Sequence, residues 1–137
     1  MQINSGTFYK LLYPSHGNKG IWFEPYLNWD YMRVVDDPGT GVSVRFLETS
    51  PGRYKIQTAS ANWGDYNFFK GMGNGVKLTN ETDACEWEIE SRANNQVAIR
   101  HVASNNYIVV GPLFNSKHWL ELYNSAITQQ EWQLQQT

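Results

Sequence analysis

Apolar residues recur at every second position through most of the chain, in short runs broken by Gly, Asn, Asp and Pro. Val44-Arg45-Phe46-Leu47-Glu48, Val97-Ala98-Ile99-Arg100 and Glu131-Trp132-Gln133-Leu134 show the pattern. A period of two belongs to half-buried strands, and no segment carries a sustained i, i+3, i+4 helical stripe. The alternation predicts twelve strands. They cover residues 8–13, 21–26, 31–35 and 42–47, then 54–58, 66–70, 76–79 and 85–89, then 97–102, 107–110, 119–123 and 131–134. Between them lie predicted turns at 15–20, at Asn28, at 36–41, at 71–75 and at Asn105-Asn106, with longer loops through Asn62-Gly64 and over 111–117. Gly, Asn, Asp and Pro stand where tight turns need a positive or preset φ.

The strands group in fours. Phe8-Tyr9-Lys10-Leu11-Leu12, Arg53-Tyr54-Lys55-Ile56-Gln57 and Gln96-Val97-Ala98-Ile99-Arg100 open alike, and the segments around Phe46, Trp87 and Trp132 close alike. Both markers repeat at a spacing of about 43 residues. The expectation is one all-β domain over 1–137, with pseudo-repeats at about 6–50, 51–93 and 94–137. Three copies of four strands have a known closed solution, the β-trefoil: a six-stranded barrel capped by three hairpins, which leaves no exposed sheet edge. A β-sandwich is the alternative, and it would not demand the period.

Threefold-equivalent bulky residues most simply fill such a barrel. Phe46, Trp87 and Trp132 are therefore expected in the core, and so is Trp22, aligned with Phe68 and Ile108. Met32/Val76/Leu120 and Val34/Leu78/Leu122 are expected there too. Trp119 aligns with Tyr31 and Gly75, out of phase with those sets.

Composition narrows the function. The 137 residues hold 11 Lys+Arg against 13 Asp+Glu, a formal net charge of −2, which disfavours a nucleic-acid partner. No apolar run of about 18 residues exists to insert in a membrane. The opening Met1-Gln2-Ile3-Asn4 has neither a basic nor an apolar signal region, so the expected location is the cytoplasm, or release without a signal peptide. Single Cys85 excludes an internal disulfide and is expected to be a small buried hydrophobe. Asp36-Asp37-Pro38-Gly39 has turn grammar, Glu86/Glu88/Glu90 form a solvated strand face, and Asn80-Glu81-Thr82 reads as an ordinary turn despite its glycosylation sequon. His16, His101 and His118 form no local catalytic motif. No catalytic residues, metal ligands or cofactor are expected, and the chain reads as a non-enzyme.

The signal lies in the aromatics: 6 Trp, 8 Tyr and 6 Phe at low charge. Trp29 sits in the turn Asn28-Trp29-Asp30, Trp63 in Asn62-Trp63-Gly64-Asp65, and Trp119 follows His118 after a loop. A sugar has an apolar C–H face that stacks on an indole and edge hydroxyls that pair with Asn and Asp. Asn28, Trp29, Asp30, Asn62, Trp63, Asp65, His118 and Trp119 are the candidate carbohydrate-binding residues, in up to three unequal pockets, one per repeat. Weak shallow sites gain avidity from repetition within a chain, or from pairing of two chains as a homodimer.

Short motifs add a resemblance. Gln130-Glu131-Trp132 resembles the Gln-x-Trp signature of ricin-B-type lectins, and 99–109 is similar to the opening hairpin of fascin-like, amaranthin-like and mussel-type trefoil lectins. The resemblance implies a trefoil that binds glycans, free or on glycoproteins and glycolipids. Three departures stand against it. The ricin-type disulfides are absent, only Asp65 supplies that family's Asp after the first strand, and Val110-Gly111-Pro112 replaces the mussel-type His-Pro-Gly. Two further readings remain: a loop-based trefoil protease inhibitor similar to fungal mycocypins and mycospins, acting through 111–117 or 15–20, and a fascin-like scaffold module.

Overall fold

The period-2 alternation survives in three dimensions as one sheet of twelve strands. The structure, a computed structural model, describes residues 3–36, 39, 41–124 and 131–137. Gln130 of the Gln-x-Trp motif and Asp37, Pro38 and Thr40 of the predicted turn lie outside these residues. The strands are β1 (Phe8–Leu12), β2 (Ile21–Tyr26), β3 (Trp29–Val34), β4 (Ser43–Ser50), β5 (Arg53–Thr58), β6 (Phe68–Met72), β7 (Gly75–Thr79), β8 (Trp87–Ser91), β9 (Gln96–His101), β10 (Tyr107–Phe114), β11 (Lys117–Tyr123) and β12 (Glu131–Gln136). Among the described residues, helical structure is confined to two 3-10 turns, and no helix is long and apolar enough to cross a membrane.

Six strands close a ring, each antiparallel to both neighbours: β1 with β4, β4 with β5, β5 with β8, β8 with β9, β9 with β12, and β12 back to β1. Phe46, Trp87 and Trp132, one from each of β4, β8 and β12, fill it without solvent exposure. Leu11, Ile56 and Ile99 are equally dry. Removing this much apolar surface from water is the main force holding the ring. Trp132 also satisfies its indole, whose N–H donates to the Ile108 carbonyl at 3.0 Å.

The other six strands make three hairpins, β2–β3, β6–β7 and β10–β11, with two-residue turns Leu27-Asn28, Gly73-Asn74 and Asn115-Ser116. Leu27 and Asn28 (φ 51° and 69°) and Asn115 and Ser116 (50° and 63°) are left-handed at both positions, as a turn matched to strand twist requires. The hairpins then pair with one another through Tyr31↔Lys77, Trp119↔Arg33 and Glu121↔Gly75. Met32, Val34, Val76, Leu78, Leu120 and Leu122 line the inner face of this cap and are buried as expected.

Three sequence expectations need correction. Trp22 is 38% exposed. The residue that faces the core is Ile21, which pairs with Val34 as Phe69 pairs with Leu78 and Ile108 with Leu122. A one-residue slip in alignment turns every side chain to the opposite face. Residues 111–117 are not an extended loop, because β10 continues to Phe114 past a register shift between Val110 and Leu113. Cys85 is half-buried, packed against the core.

Candidate functional site

The two tryptophan turns of the first two chain segments meet at one place. Asn28, Trp29, Trp63 and Tyr66 line a cleft of ≈ 280 Å³. Trp29 opens β3 directly after its hairpin turn. Trp63 and Tyr66 belong to the β5–β6 loop, which closes with the Tyr66 N–H donating to the Trp63 carbonyl at 2.8 Å. Asp30 joins the two. Its carboxylate accepts the Asn62 backbone N–H at 3.0 Å and the Asn62 side-chain amide at 2.7 Å, and it is 1% exposed. A buried charge is tolerable only when so bonded, and Asp30 thus clamps the loop onto the hairpin rather than facing a ligand.

Trp29 is fixed from a second side by Lys77, whose ammonium sits 3.4 Å from its ring centroid. Burial, followed by the charge of Lys70, holds the Lys77 ammonium below its usual pKa. Trp29 and Tyr66 stand 5.8 Å apart at 41°. Trp63 is 45% exposed and Tyr66 37%, so aromatic surface is presented beside the Asn28 amide on a braced frame. Asp65 faces elsewhere, lining a polar cleft of ≈ 360 Å³ with Gln57, Asn67, Asn80 and Glu81. Asn80 caps its own turn by accepting the Asp83 N–H at 2.9 Å.

His118 and Trp119 do not form a third site together. The His118 ring packs edge-on against His16 at 4.8 Å, with Nδ1 3.0 Å from the Gly111 carbonyl oxygen. Burial first, then His118 and Lys19, lower the His16 pKa. Trp119 is out of phase with the core, as aligned, yet only 9% exposed, because Tyr26 and Phe114 cover it and its indole N–H donates to the Phe114 carbonyl at 2.7 Å. It lines a second cleft, ≈ 240 Å³, with Tyr26, Tyr31, Gly75, Phe114 and Glu121. Tyr31, Gly75 and Trp119, aligned across the repeats in the sequence, thus converge on one place instead of marking three.

Sequence reasoning missed Tyr66, three residues beyond Trp63 in the same loop but assigned to a strand. It also missed Tyr26 and Glu121, which look like ordinary strand residues, and Phe114, which falls in the expected loop over 111–117. Among the described residues no group of three or more His, Cys, Asp or Glu is placed to hold a metal ion.

No protein-family profile and no curated protein matches the sequence. Solved structures do. A complex of lysenin with phosphocholine superposes with a TM-score of 0.80 at 12% identity over 99% of this chain and 46% of that one. A type II water-soluble chlorophyll-binding protein gives 0.74 at 11% identity over 98% and 93%. A GH43 β-1,3-galactosidase gives 0.72 at 19% identity over 97% and 28%. The chain spans about half the length of the lysenin it matches. At these identities the likeness establishes a shared fold.

Proposed function

We propose that this chain is a non-enzymatic carbohydrate-binding module of the β-trefoil type, and that its sugar site is the cleft between Trp29, Trp63 and Tyr66. The trefoil reading is supported by the closed ring of six strands, the three mutually paired hairpins and the recurrence of Phe46, Trp87 and Trp132 at equivalent ring positions. The lectin reading rests on one observation: exposed indole and phenol surface converges with the Asn28 amide in a cleft of ≈ 280 Å³. That is near the lower end of the roughly 300–1,000 Å³ typical of ligand clefts and suits one or two sugar units. The aromatic rings stack on the C–H face of a pyranose while the amide meets its hydroxyls.

The clamp from Asp30 to Asn62 and the ammonium behind Trp29 hold the platform before a ligand arrives, which lowers the ordering cost of binding. The occurrence of this fold within a β-1,3-galactosidase accords with a glycan ligand. The inhibitor reading loses one of its two candidate loops, since 111–117 is largely strand closed by a two-residue turn. A glycan array probed at high protein density tests the proposal. The folded protein should bind at least one neutral glycan, and Trp63→Ala should abolish that binding; silence across the array would refute it.

A further inference from the structure

The second cleft, at the centre of the cap, has a different chemistry. Its walls are aromatic: Tyr26 lies 5.8 Å from Tyr31, 6.1 Å from Phe114 and 5.6 Å from Trp119, centroid to centroid. The indole N–H of Trp119 is already spent on the Phe114 carbonyl. Asn74 adds one side-chain amide to the lining, and Met72 and Leu120 add apolar surface.

In this apolar setting stands one carboxylate, Glu121, without a counter-charge. The cations of the neighbouring hairpin strands β3 and β7 are committed elsewhere. Arg33 pairs with Glu24 at 2.9 Å and Asp36 at 3.6 Å, and the Lys77 ammonium lies on the Trp29 ring. Among the described residues no ion pair involves Glu121. Burial holds its carboxyl above the usual range, as expected for a desolvated and unpaired acid. Two glycines preserve the arrangement. A Cβ on Gly111 would overlap the Glu121 carboxyl group, and one on Gly75 would come within 3.1 Å of the Tyr31 ring.

Aromatic π-faces around a half-buried carboxylate complement a cation that is large, poorly hydrated and in no need of hydrogen-bond acceptors. We propose that the central cleft of the cap binds a methylated ammonium group of the choline type, with Tyr26, Tyr31, Phe114 and Trp119 against its methyls and Glu121 as its counter-charge. This is independent of the sugar reading, because the two clefts share no lining residue. The group could be carried by a small soluble molecule or by a lipid headgroup. Leu27 in the β2–β3 turn and Leu113 near the end of β10 are exposed next to the cleft residues Tyr26 and Phe114, an apolar rim compatible with either source.

The test follows the Trp119 indole N–H resonance while choline is titrated into the intact protein, with its neutral isostere 3,3-dimethylbutan-1-ol as control. Choline should shift that resonance saturably at millimolar concentration, and the isostere should bind about tenfold more weakly. Glu121→Gln should weaken choline about tenfold with unchanged Trp87 and Trp132 resonances, and Phe114→Ala, at an exposed position, should also weaken it. Equal binding of choline and the isostere would overturn the proposal, as would no shift at roughly 50 mM choline or a Glu121→Gln variant that binds as well as the parent. Sedimentation with phosphatidylcholine but not phosphatidylglycerol vesicles, competed by choline, would support it with a lipid source. Choline binding without vesicle binding would support it with a soluble one.

Discussion

The ring and the cap are both made of strands that align across the sequence pattern, yet aligned positions behave in opposite ways in the two. In the ring, matched positions carry the same chemistry: Phe46, Trp87 and Trp132 are all large, apolar and fully buried. Across the paired hairpins of the cap, aligned positions outside the core diverge. Tyr31, Gly75 and Trp119 differ in size, and Arg33, Lys77 and Glu121, two residues further along β3, β7 and β11, differ in charge. A shared core must be filled from every side, so packing enforces similarity. The residues of the second set lie outside that core cluster, so no single chemistry is imposed on them and a cleft forms among them. The aromatic excess therefore has two causes, and only the second calls for a ligand.

The largest expected effect lies in the ring. Trp132→Ala removes a fully buried indole and its bond to Ile108, and should cost about 3–5 kcal/mol in urea unfolding. A cost below about 1 kcal/mol would mean the ring is not the stability core. Next comes the joint between hairpin and loop. Asp30→Ala removes two hydrogen bonds to a buried carboxylate and should cost about 1.5–3 kcal/mol while also abolishing glycan binding, since Trp63 loses its anchor.

A smaller effect is set by pH. His101 is buried against Trp87 with its ring 4.9 Å away, and burial lowers its pKa. Its neutral form is favoured in the folded state, so the unfolded chain takes up protons first as pH falls below about 6.5, and stability declines there. Thermal unfolding at pH 7 and pH 5 should show this loss, reduced in His101→Gln; the remainder falls to His16, whose pKa is lowered in the same direction.

Much of this architecture was legible in the alternation of residues. Each of the twelve strands overlaps a run marked by the period-2 pattern, because strands with one buried face must write that face into the sequence. The ends shift: β6 and β8 begin two residues later than expected, and β10 runs four residues further, to Phe114. Errors arose where the pattern is locally ambiguous. In Ile21-Trp22-Phe23 every residue is apolar, so the pattern does not fix the phase, and aligning Trp22 with Phe68 and Ile108 turns the wrong face inward: Ile21 and Phe23 are the buried residues. The site was half legible. The turns point to Trp29, Trp63, Asn28, Asp30 and Asn62, but as separate pockets, since a single sequence gives no sign that Asp30 and Asn62 touch. Glu121 carried no local signal, as its meaning comes from the rings that line the cleft with it and from the lack of an ion pair.

The smallest stability effect is also the most informative. Trp63 is half exposed and lies outside the core cluster, so Trp63→Ala should alter unfolding by no more than about 0.5 kcal/mol. The most direct measurement is therefore the set of indole N–H resonances during titration with a glycan chosen from the array. Trp63 and Trp29 should shift together and saturably, while Trp87 and Trp132, sealed in the ring, stay fixed. Shifts confined to other tryptophans, or none when binding is otherwise evident, would contradict the assignment of the sugar site to this cleft.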